Sequence, residues 1–184
     1  MGSSRLNSGG PADRRREFLM RAAIIVLAAL WIYAPVYHGD WLWDDDTLLT
    51  QNATVQSGSL AGLAKLWFNP DGQDYFPLSY SALWTQWLFF GKNPTGYHVT
   101  SILLHIGGSL LLWMLLARMK IPGAWLSGLV FAIHPACVES VAWMSEIKNT
   151  LSLPLFLLSA VCWVEQDDEP DRPRQTRLYG LSLV

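Results

Sequence analysis

The feature that most constrains the fold is a series of apolar stretches as long as a lipid bilayer is wide. The first runs from Phe18 to Tyr37, 20 residues interrupted only by Arg21. At about 1.5 Å per residue, a helix of this length crosses the roughly 30 Å hydrocarbon layer. Only 15% of the chain is charged and 51% is hydrophobic, whereas about a quarter of a soluble domain is charged. The sequence therefore predicts a membrane protein.

The first apolar stretch could belong either to a cleaved signal peptide or to a retained helix, since both begin with basic residues. Arg14, Arg15 and Arg16 precede it, and Trp, Tyr and Pro stand where small residues would mark a cleavage site. We therefore interpret residues 18–37 as a first transmembrane helix. The Gly/Ser-rich residues 1–17 before it are expected to form a disordered cytoplasmic N-terminus.

Further apolar stretches predict spans over residues 97–119, 121–138 and 149–164, and the start of a fifth span at 178–184. His134-Pro135 breaks the third stretch near its end, because proline cannot continue a helix. Seven residues cannot cross a bilayer, so we expect the chain to be the N-terminal part of a longer protein. The predicted fold class is an all-α polytopic membrane protein.

Residues 38–96 form the longest polar segment, and the aromatic stretch 75–90 within it is either a further span or a helix lying in the membrane interface. The flat arrangement puts ten of the 13 basic residues on one side, whereas the spanning arrangement divides them seven against six. Basic residues collect on the cytoplasmic side, so the flat arrangement is favoured. It makes the N-terminus cytoplasmic and places the loop 38–96 on the outer side of a bacterial inner membrane or the lumenal side of the endoplasmic reticulum.

Three consecutive carboxylates, Asp44, Asp45 and Asp46, follow two tryptophans where the chain should leave the bilayer. Adjacent carboxylates repel each other and are costly to desolvate. A solvated helix end with interfacial tryptophans would explain this stretch on its own. The predicted topology, however, brings further polar groups to the same outer face, namely His134, Glu139 and Lys148. This grouping of acids with one amine predicts a catalytic or substrate-binding site at the outer face.

The second predicted span carries a polar stripe formed by His98, Ser101, His105 and Ser109. Their spacing of three or four residues puts them on one helix face. Exposure of such a stripe to lipid is unfavourable, so it should face protein or a cavity. We expect His105 to pack between helices, and we regard His98, at the outer end, as a candidate substrate-binding residue.

Several classes of function find no support in the sequence. The net charge is −2, and no basic patch is interleaved with aromatic residues as a nucleic-acid groove would require. There is no phosphate-binding glycine-rich motif, zinc motif or nucleophile elbow. The sequence therefore predicts no nucleic-acid partner, no metal site and no cofactor, and it gives no support for a divalent cation.

Four motifs resemble, in order and spacing, the N-terminal region of the GT-C superfamily of membrane glycosyltransferases. They are Trp43 to Asp46, Tyr75 to Leu78, Asn93 to His98, and His134 to Trp143. The match looks like the polytopic members that carry tetratricopeptide repeats behind their membrane domain and are related to the protein O-mannosyltransferases. The resemblance covers residues 31–164 and implies GT-C-like N-terminal helices.

The resemblance also implies a reaction. It suggests a polyprenyl-phosphate donor of a sugar such as mannose, and an acceptor hydroxyl on a protein or a surface glycan. Asp44 and Asp45 match the family's paired acids, with Asp45 as general base and Glu139 orienting the acceptor or the base. The hydroxyl must lose a proton as it attacks the anomeric carbon, and a cation would stabilise the leaving phosphate. Lys148 and His134 are the candidates for that role.

Structural explanations compete with these assignments. Glu139 also suits a helix end, Lys148 an interfacial anchor and His134 a hydrogen-bonded helix terminus. The chain departs from the family pattern at three positions, Ser101, Cys137 and Ile147, and the last lacks a cation that many relatives have. The alternative to an enzyme is a transporter segment, a scaffold or an inactive truncated relative. A transporter would bury ionisable groups near mid-membrane, where this chain offers only His105.

Overall fold

A computed structural model describes residues 10–68, 75–167 and 172–183. Within these ranges the chain is helical and forms no strand, so the predicted all-α fold class is confirmed. The helices are α1 (Pro11–Ile32), α2 (Ala53–Gln56), α3 (Leu60–Phe68), α4 (Pro77–Phe90), α5 (Pro94–Arg118), α6 (Ala124–Ile133), α7 (Val138–Ala142), α8 (Ile147–Asp167) and α9 (Arg172–Ser182). Short turns of 3-10 or π-helix lie at Ala34–His38, Asp46–Thr50, Pro135–Cys137 and Met144–Glu146.

Two segments of the described chain, Pro94–Arg118 and Met144–Gln166, are long and apolar enough to cross a membrane. A third candidate is the pair Ala124–Ile133 and Pro135–Ala142, which is bent by 53° at His134. The bend is where the sequence predicted a break. α1 does not qualify by composition, because any bilayer-length part of it includes Arg15, Arg16, Glu17 and Arg21.

Of the three long helices that pack on α5, α1 and α6 run antiparallel to it and α8 runs parallel. Phe18 of α1 stacks on Trp113 of α5 at 4.8 Å between ring centroids, and Tyr33 meets His105 edge-on at 5.3 Å, so α1 runs antiparallel to α5. α6 is also antiparallel, since His105 contacts the Ala132 carbonyl while Gly128 lies against Trp113. α8 runs parallel to α5, because Arg118 pairs with Glu165 at one end and Tyr97 shares a cluster with Ile147 at the other.

Two apolar cores stabilise this arrangement. The first joins α1, α5, α6 and α7 and includes Ile25, Ala29, Ile102 and Ala132. The second lies at one end of the bundle, where residues 41–68 and 75–90 cover the starts of α5 and α8. Its buried members are Leu49, Val55, Leu83, Tyr97, Met144 and Ile147. The polar segment is thus anchored on the bundle by its own apolar side chains.

The helix ends differ from the sequence prediction in three places. The predicted disorder of residues 1–17 does not hold from Pro11 onward, since proline suits the first turn of a helix and the Asp13 carboxylate accepts a hydrogen bond from the Gly10 amide at 3.2 Å. Residues 1–9 lie outside the described ranges. α8 is longer than the predicted span 149–164. Residues 178–182 of the predicted fifth span form the end of α9, which begins at Arg172 within the expected loop, and residue 184 lies outside the described ranges.

The aromatic stretch 75–90 forms a helix much as predicted. α4 has 14 residues, a length of about 21 Å, which is shorter than the roughly 30 Å hydrocarbon layer. The length therefore favours the flat arrangement over a span. α4 packs against α2, α5 and α8 at the end of the bundle that holds the second core.

Candidate active site

All six candidate residues from the sequence lie at one end of the bundle. This end is formed by the C-terminal ends of α1 and α6 and the N-terminal ends of α5 and α8. It carries, in chain order, Asp44, Asp45, His98, His134, Glu139 and Lys148. The opposite end carries Arg118, Lys120 and the basic first turns of α1. The two regions on which the predicted site depends, the acidic loop and the turn after His134-Pro135, therefore share one end.

Asp45 joins the acidic loop directly to the segment Met144–Glu146 before α8. One carboxylate oxygen, Oδ1, accepts hydrogen bonds from the Ser145 amide at 2.8 Å and the Ser145 hydroxyl at 2.5 Å. The other, Oδ2, accepts one from the Leu42 amide at 2.9 Å. The side chain is 1% exposed. Three donors can offset the loss of hydration of a buried carboxylate, so Asp45 fixes the acidic loop on the segment before α8.

Trp43 makes a second contact between the acidic loop and the segment before α8. Its ring meets Trp143 edge-on at 5.0 Å between centroids. Its backbone has φ 44°, a left-handed conformation that is uncommon for a bulky residue. This conformation lets the chain turn sharply, so that the Asp45 amide can donate to the Leu42 carbonyl at 2.9 Å.

The neighbouring acids have different surroundings. Asp44 is exposed, and its carboxylate has no hydrogen-bond or ionic partner within the described ranges. Asp46 is also exposed, but its Oδ1 accepts a hydrogen bond from the Thr50 hydroxyl at 2.7 Å. Of the three carboxylates, Asp44 is thus the one that offers both oxygens to an incoming group.

Lys148 belongs to a small polar network at the start of α8. Its Nζ lies 2.9 Å from Glu146 Oε1, and the other carboxylate oxygen of Glu146 accepts a hydrogen bond from Asn149 Nδ2 at 2.5 Å. The Lys148 side chain is 42% exposed, and its amine lies over the Phe76 ring at 5.8 Å from the centroid. Lys148 therefore remains accessible to an anion that could replace Glu146.

A small cleft lies beside Lys148, with a volume of about 30 Å³. It is bounded by Ser145 and Lys148 on one side and by Phe76, Ser79 and Tyr80 of the α4 region on the other. The hydrogen-bonded serine that holds Asp45 and the exposed amine thus line the same cleft. The cleft has room for about one water molecule beside the lysine.

His134 and Glu139 flank the helix break and are both exposed. His134 Nδ1 accepts a hydrogen bond from the Ala136 amide at 3.2 Å, which is the helix-terminus role that the sequence left open. The Glu139 carboxylate has no hydrogen-bond or ionic partner in the described part of the chain and is available to solvent.

The polar stripe of α5 is buried, as a stripe that faces protein should be. The exposed fractions of His98, Ser101, His105 and Ser109 are 1%, 2%, 4% and 0%. His98 lies against Gly39, where a Cβ would come within 2.6 Å of its Nε2. The structure therefore places His98 beneath the acidic loop, out of reach of a substrate, rather than on the surface.

Sequence reasoning missed Ser145, Glu146 and Asn149. Serine and asparagine carry no charge, and nothing in the local sequence shows that Ser145 meets a carboxylate 100 residues away. Glu146 and Lys148 stand two residues apart, and this opposite-charge spacing was the available signal. Within the described part of the chain no three His, Cys, Asp or Glu side chains come close enough together to hold a metal ion.

The arrangement can support acid–base chemistry beside an anion. An exposed carboxylate can accept a proton, and a nearby amine can stabilise negative charge on a departing oxygen. Both are attached to elements that the Asp45–Ser145 hydrogen bonds hold together. These are the kinds of group that a group-transfer reaction requires.

Comparison with known proteins identifies sequence relatives. No family model matches the chain, and no solved structure matches it. Protein O-mannosyl-transferase TMTC4 of Mus musculus is 28% identical over 160 residues, which is 74% of this chain and 22% of that protein. Protein O-mannosyl-transferase tmtc2 of Xenopus laevis is 32% identical over 60% of this chain and 13% of its own length. Protein O-mannosyl-transferase Tmtc1 of Drosophila melanogaster is 28% identical over 71% and 16%.

The similarity covers only part of this chain and a smaller part of each relative. The chain spans no more than 22% of the length of these three proteins. The matched part nevertheless covers between 60% and 74% of this chain. The chain is thus related in sequence to proteins named as protein O-mannosyl-transferases.

Proposed function

We propose that this chain forms the N-terminal part of a GT-C-type glycosyltransferase, which moves a mannose from a polyprenyl-phosphate donor to a hydroxyl of a protein. The Asp45–Ser145 contact is the observation that carries the proposal, because it attaches the acidic loop to the helix that bears Lys148. The names of the sequence relatives support the sugar and the acceptor. Because the chain covers a small part of those relatives, the activity is proposed for the whole protein that contains it.

In this reaction the acceptor oxygen bonds to the anomeric carbon of the sugar as the bond from that carbon to the phosphate oxygen breaks. The hydroxyl proton passes to a carboxylate, and polyprenyl phosphate leaves. We assign the proton-accepting role to Asp44, because Asp45 is 1% exposed and holds three hydrogen bonds. Asp45, which the sequence favoured as general base, becomes the residue that positions Asp44.

Lys148 is proposed to receive the phosphate. In the present structure it is paired with Glu146 at 2.9 Å, so an arriving phosphate would compete with that carboxylate. Glu139 and His134, both exposed on the turn after α6, are proposed to orient the acceptor. His98 supports the loop from below and does not contact the substrate.

The proposed orientation puts this end of the bundle on the outer or lumenal side. The basic residues support it, since Arg14, Arg15, Arg16, Arg118 and Lys120 gather at the opposite end, and basic residues mark the cytoplasmic side. Apart from the buried His105, the candidate site residues and the basic residues named here lie at the two ends of the bundle, which supports a surface reaction rather than a transport path.

The test is sugar transfer in vitro by the complete protein, with polyprenyl-phosphate mannose as donor and a serine- and threonine-containing protein as acceptor. Loss of a general base reduces the rate by about 10²- to 10⁴-fold, so we expect Asp44→Asn to retain at most about 1% of wild-type kcat. Asp46→Asn is the matched control and should remain close to wild type. Undiminished turnover by Asp44→Asn would remove Asp44 from the mechanism.

A further inference from the structure

A second, larger cavity lies on the other side of the start of α8. Its volume is about 190 Å³, which is the space of about six liquid waters at ~30 Å³ each. It is enclosed by α5, the helix break after α6, and α8. The lining includes His105, Phe131, Cys137, Ser140, Asn149 and Thr150. None of the residues that bound it is a carboxylate or an amine, so the cavity suits an uncharged polar group better than a phosphate.

Two of these residues leave hydrogen-bonding capacity unused. Asn149 Nδ2 donates to Glu146 Oε2 at 2.5 Å and to Ser140 Oγ at 3.3 Å. The Glu146 carboxylate can only accept, which fixes the amide orientation and leaves Asn149 Oδ1 as an acceptor without a partner in the described chain. Ser140 Oγ accepts in that bond, so its O–H remains a donor. A donor and an acceptor therefore stand side by side at the cavity wall.

This pair matches two neighbouring hydroxyls of a sugar ring. One hydroxyl can donate to Asn149 Oδ1 while the next accepts from the Ser140 hydroxyl. Phe131 and the apolar atoms around it supply a surface for the ring, as in sites where a few polar groups fix the orientation of a ligand. Thr150 adds no free donor, because its hydroxyl donates to the Ile147 carbonyl at 3.3 Å.

The cavity is also connected to the candidate active site. Asn149 bonds to Glu146, Glu146 pairs with Lys148, and Ser145 on the same turn holds Asp45. These residues form one short segment between the acidic loop and the cavity. A sugar in the cavity would thus lie next to the segment that carries both the exposed amine and the anchor of the acidic loop.

We propose that this cavity binds the sugar ring of a lipid-linked donor, with Ser140 and Asn149 as the residues that hold its hydroxyls. The proposal rests on the function proposed above, because it supplies the donor binding site for that reaction. It assigns sugar recognition to α7 and α8, whereas the acid–base chemistry belongs to the loop at Asp44. Binding of the donor and transfer of its sugar can therefore be measured separately.

Cys137 provides the measurement, since it lines the cavity and is half-buried. The experiment uses the complete protein with Cys162 changed to alanine and any other cysteine replaced, so that N-ethylmaleimide reacts at Cys137 alone. Polyprenyl-phosphate mannose at ten times its Kd should slow this alkylation about tenfold, because only the unliganded fraction reacts. Polyprenyl phosphate without the sugar should give no such protection.

Ser140→Ala and Asn149→Ala should each raise the Kd of the mannose-bearing lipid, measured from this protection, about three- to tenfold, the range for a lost uncharged hydrogen bond. Ser127→Ala is the control, because that exposed hydroxyl lies on α6 and donates to the Gly123 carbonyl. The alkylation rate of each variant without lipid reports whether the cavity is intact.

Equal protection by both lipids would overturn the assignment, because the sugar would then contribute nothing. Absence of protection in a protein that still transfers mannose would also overturn it and leave the proposed function standing. Protection by the mannose-bearing lipid without transfer would support the cavity assignment and contradict the proposed reaction.

Discussion

Of the three consecutive aspartates, Asp45 is buried and hydrogen-bonded, whereas Asp44 and Asp46 are exposed. The Asp45 side chain is enclosed by Leu42 and Ser145, with hydrogen bonds to both oxygens. Hydrogen bonds to an ionised acceptor are about twice as strong as those between neutral groups. The carboxylate therefore acts as a tether between two distant parts of the chain, and it leaves the adjacent Asp44 at the surface.

This tether predicts a graded loss of stability. Ser145→Ala removes one hydrogen bond to a charged group and should lower the free energy of unfolding by about 1.5–3 kcal/mol. Asp45→Asn should lower the free energy of unfolding further. Each carboxylate oxygen of Asp45 accepts a hydrogen bond from a backbone N–H, so the amide nitrogen of asparagine would face one of these donors. Thermal unfolding of the detergent-solubilised protein measures both.

Asp46→Asn is the control for this series, since an exposed substitution usually stays within about 0.5 kcal/mol. A Ser145→Ala protein that unfolds at the wild-type temperature would show that the Ser145 hydroxyl does not hold Asp45.

The sequence identified the three aspartates as a group but could not rank them. Whether a residue at this turn is buried depends on its contact with Ser145, which is 100 positions later in the chain. A resemblance to known sequences marks the pair Asp44 and Asp45 without saying which one faces the solvent. The role of Asp45 therefore required the tertiary contact.

At the scale of helices, hydropathy located the central elements well and their ends less well. The span predicted at 97–119 corresponds to α5, which begins earlier, at Pro94, because the Asn93 side chain accepts a hydrogen bond from the Thr95 amide at 3.1 Å. α1 similarly begins before its apolar part, at Pro11. Helices extend beyond the membrane into polar sequence, and apolar length alone does not detect that extension.

The packing of α6 on α5 predicts a specific sensitivity to one methyl group. A Cβ at Gly128 would lie 2.7 Å from Trp113 Cβ and 3.0 Å from the Ser109 carbonyl, so Gly128→Ala should force the helices apart and cost about 1–3 kcal/mol. Gly107 of α5 has no atom within 4 Å of a built Cβ. Gly107→Ala should therefore be neutral or stabilising, by up to about 1 kcal/mol.

Comparison of the two variants by unfolding in detergent controls for the general effect of replacing glycine in a helix. If both variants lose the same stability, the cause is not close contact between α5 and α6. If Gly128→Ala alone is destabilised, the close packing of α5 and α6 requires that residue 128 have no side chain.

At the scale of the whole molecule, the helix directions give the bundle two unlike ends. One carries the acidic loop, α7 and the start of α8. The other carries Arg118, Lys120 and the basic start of α1. The sequence could predict this division because basic residues are unevenly distributed along the chain. It could not predict that the acidic loop contacts the segment before α8, since that depends on the way α4 and the second apolar core pack against the end of the bundle.

The division predicts opposite accessibility of two exposed positions, Glu139 and Lys120. In a bacterial inner membrane, with the native cysteines replaced, Glu139→Cys should react with a membrane-impermeant maleimide added to intact spheroplasts. Lys120→Cys should react only after the membrane is permeabilised, because basic residues collect on the cytoplasmic side and the proposed orientation puts this end there. A reversed pattern would place Asp44 in the cytoplasm and contradict transfer at the outer face. Labelling of both positions from one side would contradict the helix directions themselves, since α6 could not then cross the bilayer between them.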